Sequence, residues 1–240
     1  MPHPLQYALW LVSLVLQAAA GVSALSRRGN WKYSALGLYM LANAAMSVAA
    51  YFVLQAYGFV STEYKAFYAI GDACLVVALF FAILSLYQHV LQELHVSRYV
   101  TRGAALLITL TAAFSFVTVQ RNSDHMAELR YVVELGQNLY FVGVVLAYLL
   151  WGVVMQLRET RLRILQFVFA LGIYFSASAA TYALVNLFPG SKDFAKWIPV
   201  TLSVFLSGSW LYTMVLVPDG ARLATAHIAA AAPEPGQVVR

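Results

Sequence analysis

The sequence predicts an all-α, polytopic membrane protein: a bundle of seven transmembrane helices with the N-terminus outside and the C-terminus cytoplasmic. Three observations carry this expectation. Seven long apolar segments fill almost all of the 240 residues. Hydrophobic residues make up 62% of the chain and charged ones 10%, with a mean hydropathy of +0.73. A soluble core needs far less apolar surface, so lipid is the expected solvent. Finally, the cations are shared unequally between the two sets of connections.

Each crossing needs about 20 apolar residues. In order, the spans read as 5–25, 34–57, 66–91, 104–119, 131–157, 164–187 and 197–217, the fourth being the shortest. The runs are continuous and do not alternate, which argues against a barrel. Backbone polar groups in lipid are satisfied within each segment, so helices follow. Short connections make 1–217 a single transmembrane domain. The tail, 218–240, changes character: an alanine run at 229–232 precedes Pro233, Glu234, Pro235 and Gly236, and reads as a disordered cytoplasmic end. The first span ends in small residues that resemble a signal-peptidase site. No Lys or Arg precedes it, however, so it is expected to be retained.

Ten cations fall on one side: Arg27, Arg28, Lys32, Arg98, Arg102, Arg158, Arg161, Arg163, Arg222 and Arg240. The other side holds five: Lys65, Arg121, Arg130, Lys192 and Lys196. The richer side is expected to be cytoplasmic. The basic pI is then a topology signal, and no nucleic-acid partner is expected. Trp31, Trp197, Trp210 and Tyr212 read as anchors at the headgroup boundary. Small residues should mark packed faces: Gly172, Ser176 and Ala180, Ala45 and Ala49 beside Asn43 and Ser47, and Ser203 with Ser207. The serines and Asn43 could alternatively line a polar cavity.

Two carboxylates fall inside spans, Asp72 in the third and Glu134 in the fifth. An ionised group in lipid costs at least about 2.5 kcal/mol, so each should face the interior, water or a partner. Tyr68, Asp72 and Val76 share a helical face, as do Arg130, Glu134 and Asn138. Gln55, Thr181 and Asn186 lie at similar depth. Asp72, Glu134, Asn138, Tyr68 and Asn186 are therefore the candidate ligand-binding residues of an outward-facing pocket suited to a cation, an amine or a proton. The structural alternative pairs Glu134 with Arg130, and Asp72 with a tyrosine or Lys196.

Other chemistries lack their residues. The lysines all lie in loops or at helix ends, so a retinal Schiff base deep in the bundle is not expected. Of the five histidines only His89 is in a span, at its inner end, and nothing has metal-ligand spacing. The single cysteine, Cys74, excludes an internal disulfide. No phosphate-binding loop, dinucleotide fingerprint or nucleophile elbow is present. No catalytic residue, metal or cofactor is expected. The segment 92–103 reads as a short amphipathic piece on the inner surface.

Phe67-Tyr68 at the start of the third span, Trp151 near the end of a long fifth span, and Trp210-Leu211-Tyr212 before Pro218 give the chain its general layout. In these features it resembles small, uncharacterised seven-helix integral membrane proteins of bacteria. That family often carries a glutamate and further aromatics where this chain has Ala69-Ile70-Gly71-Asp72. The resemblance implies placement in the bacterial cytoplasmic (inner) membrane and transfers no binding residue, since the family has no assigned activity. Three functions compete. The leading one is a non-enzymatic sensory module, or a subunit of a larger membrane complex, whose partners are the bilayer and other membrane subunits or a cytoplasmic signalling protein. The second is a small-solute or proton-coupled transporter using Asp72 and Glu134. The third, a lipid-modifying enzyme, lacks a nameable polar cluster.

Overall fold

A computed structural model describes residues 4–26, 32–58, 61–91, 97–120, 127–157, 161–218 and 220–222. They form seven long helices: α1 (Pro4–Ser26), α2 (Ser34–Tyr57), α3 (Thr62–Val90), α4 (Ser97–Gln120), α5 (Ala127–Gln156), α6 (Leu162–Leu187) and α7 (Ile198–Leu216). Two short turns, Pro189–Ser191 and Lys192–Ala195, lead into α7. Six helices are long and apolar enough to cross a membrane, while α4 carries a shorter apolar run, Leu106–Val117. Leu11, Val15, Phe52, Phe81, Phe114, Tyr148, Phe169 and Leu216 are among the large apolar side chains left exposed. Lipid is the solvent that accepts such a surface. The chain is thus an all-α, membrane-embedded bundle.

Local chemistry explains where the helices begin and end. Gly58 closes α2 at a φ of +82°, a conformation that glycine adopts without a Cβ penalty. Ser61 then caps α3, its hydroxyl accepting from the Tyr64 amide at 3.0 Å. This cap starts α3 at Thr62, ahead of the apolar run that began at residue 66. Likewise α4 starts at Ser97, so most of the segment read as an amphipathic surface piece belongs to α4, and 92–96 lies outside the described residues. Trp31 and the tail from 223 onward also lie outside them.

The helices follow one another around the bundle, and α1 closes it against α7. α3 also touches α5 directly, which leaves α4 leaning on both from outside. α3 buries the largest share of its length and forms the bundle's spine. Val76, Leu79, Phe80 and Ile83 from α3 meet Leu36 and Met40 from α2, Phe167 and Phe175 from α6, and Trp210 and Met214 from α7. Trp210 is 0% exposed, with its ring 5.9 Å from Tyr39 and 6.0 Å from Phe167. It is a core residue and not a headgroup anchor. The anchoring rule reads depth alone, whereas rotation places Trp210 on the buried face with Leu206, Ser207 and Met214.

Apolar helices gain little by touching one another in lipid, so polar links and close backbone approach matter more. Tyr87 donates to the Leu146 carbonyl at 2.8 Å, joining α3 to α5. Asn138 donates to Ser115 at 2.9 Å, joining α5 to α4. Gln17 donates to Ser13 at 2.9 Å and to Ser203 at 2.7 Å, joining α1 to α7. Thr213 donates to Gln166 at 3.0 Å, joining α7 to α6. α1 and α2 approach closely backbone to backbone. There a Cβ on Gly37 would lie 2.5 Å from the Ala24 Cβ and 3.3 Å from the Gly21 carbonyl oxygen. The small-residue faces expected on α2 and α6 are only partly inward: Ala45 and Ala180 are exposed, and a Cβ on Gly172 would meet nothing within 4 Å. Ser207 on α7 is fully buried as expected.

At the opposite end from the N-terminus, the chain leaving α7 folds back on α6. The Leu162 amide donates to the Ala221 carbonyl at 3.0 Å, and the Arg163 Nε donates to the Val217 carbonyl at 2.6 Å. Arg163 is buried, so this bond is shielded from water. Arg163→Leu should leave the Val217 carbonyl without that charged donor and lower stability by about 1–3 kcal/mol. A thermal melt of the purified variant followed by circular dichroism checks this.

Candidate functional site

Asp72 sits where α3, α5 and α6 converge. Its Oδ1 accepts from the Tyr140 hydroxyl at 3.0 Å and its Oδ2 from the Tyr182 hydroxyl at 3.1 Å. The two donor rings are themselves neighbours, with centroids 5.5 Å apart. Gly136, one turn before Tyr140, faces the carboxylate: a Cβ there would lie 3.6 Å from Asp72 Oδ2, an ordinary van der Waals contact. Of the two structural readings the sequence left open, tyrosine bonding is the arrangement found. Among the described residues, no lysine or arginine pairs with this carboxylate.

Asp72 borders a cavity of about 630 Å³. This opens into the half of the bundle where α1, α3 and α7 begin, and five helices supply most of its wall. α2 contributes a stripe at helical spacing, Tyr39, Asn43, Ser47 and Leu54; α3 gives Tyr64, Tyr68, Asp72 and Leu75; α6 gives Tyr174, Ser178, Thr181 and Tyr182. Tyr7 and Trp10 from α1 stand near its mouth, and Lys196 and Ser203 close the α7 side. The wall is rich in tyrosine rings, with a few polar groups, one acid (Asp72) and one cation (Lys196). Beyond Leu75 no α3 residue lines it, because Val76, Leu79 and Phe80 fill the interior. Along α3 the cavity therefore stops at Leu75, while on α2 it extends to Tyr39.

The predicted site residues separate into two groups. Asp72 and Tyr68 line the cavity, as do Thr181, Asn43, Ser47 and Ser203. Asn138 instead turns to Ser115 on α4, and Glu134, Asn186 and Gln55 are not part of the wall. For α5 the reason is rotational. Gly136 and Tyr140 face Asp72, whereas Glu134 and Asn138 lie two residues out of phase, about 200° around the helix at 3.6 residues per turn. Asn186 lies exposed one turn beyond Tyr182. Sequence reasoning missed Tyr39, Tyr140, Tyr174 and Tyr182. The four-residue tyrosine and polar stripes on α2, α3 and α6, all at one end of the bundle, were the available signal. Among the described residues no group of three or more His, Cys, Asp or Glu could hold a metal ion.

No protein-family model matches this chain, and neither a curated protein nor a solved structure does. The site is therefore read from its own residues. What the arrangement can do chemically is hold a small molecule between aromatic faces beside a fixed carboxylate.

Proposed function

We propose that this chain is a non-enzymatic membrane sensory module, or the ligand-binding subunit of a larger membrane complex. In this reading a small molecule enters the cavity and a partner reads out its presence. The observation that carries it is the tyrosine-walled cavity with Asp72 at the junction of three helices. Pockets of roughly 300–1,000 Å³, mostly apolar with a few placed polar groups, are the usual form of small-molecule sites. A ligand that touches α3 and α6 together can favour one arrangement of those helices over another. The packed interior beyond Leu75 on α3 favours reception over conduction, because a carrier needs a route to both faces.

The unequal sharing of cations supports an outside N-terminal end; in that orientation the cavity faces outward and the Arg161–Arg163 end faces the cytoplasm. The membrane we assign is the bacterial cytoplasmic membrane, on the layout of the chain alone. In this reading the cytoplasmic end is where a partner protein would dock. Purification in mild detergent followed by native mass spectrometry tests the proposal. Retention of a small molecule or of a further chain is the expected result. A bare monomer that takes up no compound from a broad metabolite panel would count against it.

A further inference from the structure

We infer that the ligand is a small organic cation, a substituted ammonium whose charged nitrogen sits against Asp72 and whose carbons lie on the tyrosine faces. This rests on the reading of the cavity as a ligand site and names its chemical class.

The argument starts with charge. Asp72 is a carboxylate within the span of a membrane helix, and both of its oxygens already accept a phenol hydrogen bond. Phenols supply no positive charge, and among the described residues no cation pairs with Asp72. Part of the side chain still reaches the cavity. An ammonium brought against it would supply the missing counter-charge and favour the ionised form of the acid.

The wall supports the same class. Tyr64, Tyr68, Tyr174 and Tyr182 all line the cavity around Asp72. Tyr68 is 51% exposed, which leaves much of its ring available to an occupant. Aromatic faces carry a negative quadrupole and attract an ammonium group, more strongly when water is excluded. A neutral apolar molecule would use the rings but gain nothing from the acid. An anion would meet Lys196 on the α7 side but would be repelled by Asp72, around which the tyrosines gather. A bare metal ion would find only one carboxylate and no further acid to complete its shell. An alkylammonium uses both features at once.

The test compares cations with neutral molecules of the same shape on the full chain in lipid nanodiscs. One pair is choline and 3,3-dimethylbutan-1-ol; the other is 2-phenylethylammonium and 2-phenylethanol. Titrations follow Trp10 fluorescence and isothermal heat. The cation of a pair should bind at least about tenfold more tightly than its neutral partner. Asp72→Asn should erase that preference while keeping the weaker neutral affinity. The paired comparison needs no variant, so it stands even if Asp72→Asn fails to fold. Equal or tighter binding of the neutral partners would overturn the cation assignment and leave the cavity as a ligand site. A cation preference that survives Asp72→Asn would overturn the role of Asp72. Binding of neither member of either pair would overturn the inference; the broad panel described above then decides whether the cavity reading falls with it.

Discussion

Trp210→Ala should be the most damaging single truncation in the bundle, costing about 3–5 kcal/mol of stability. The indole is 0% exposed and stands edge-on to both Tyr39 and Phe167, with interplanar angles of 64° and 89°. Removing it opens a void where α2, α6 and α7 meet, and three fixed helices cannot all collapse into it. A companion variant separates packing from hydrogen bonding. Among the described residues the Trp210 Nε1 has no hydrogen-bond partner, so Trp210→Phe gives up no bond seen there and keeps a ring in place. It should lose markedly less than Trp210→Ala. Thermal melts by circular dichroism in one detergent decide the order, and equal losses would contradict the packing account.

Gly37→Leu is the second large effect, with an expected loss of about 1–3 kcal/mol from overpacking. The atoms a new side chain would meet are the Ala24 Cβ at 2.5 Å and the Gly21 carbonyl oxygen at 3.3 Å. Both are fixed to the α1 backbone and cannot swing aside as the end of a flexible side chain would, so the two helices must part. Gly172→Leu is the control. A Cβ there meets nothing within 4 Å, and the change should stay within about 0.5 kcal/mol. If both glycines tolerate leucine equally in the same melt, the α1–α2 contact is not tight.

The number of helices and the approximate place of each were legible in the sequence, because a bilayer imposes a length and the loops are short. Asp72 was legible too, since a carboxylate in lipid is costly enough to need a reason. Rotation was not. A soluble helix reveals its inward face by leaving polar residues outside, but here lipid and core are both apolar, so the two faces look alike. That is why Trp210 read as an anchor and Ala180 as a contact. It is also why Glu134 and Asn138 seemed to belong with Asp72 when Gly136 and Tyr140 are the α5 residues that face it. The boundaries of α3 and α4 ran past their apolar cores because caps and first turns are polar, and hydropathy does not register them.

The return of the chain onto α6 gives that helix two attachments far apart. Near one end, Tyr182 holds the Asp72 oxygen; at the other, the Leu162 amide holds the strand leaving α7 through Ala221. Twenty residues separate Tyr182 from Leu162, about 30 Å of rigid rod at 1.5 Å per residue. α6 is thus a lever with the cavity under one arm and the exit of the C-terminal tail under the other. A tilt that shifts Tyr182 against Asp72 also moves the place where the tail departs, with no separate relay between them.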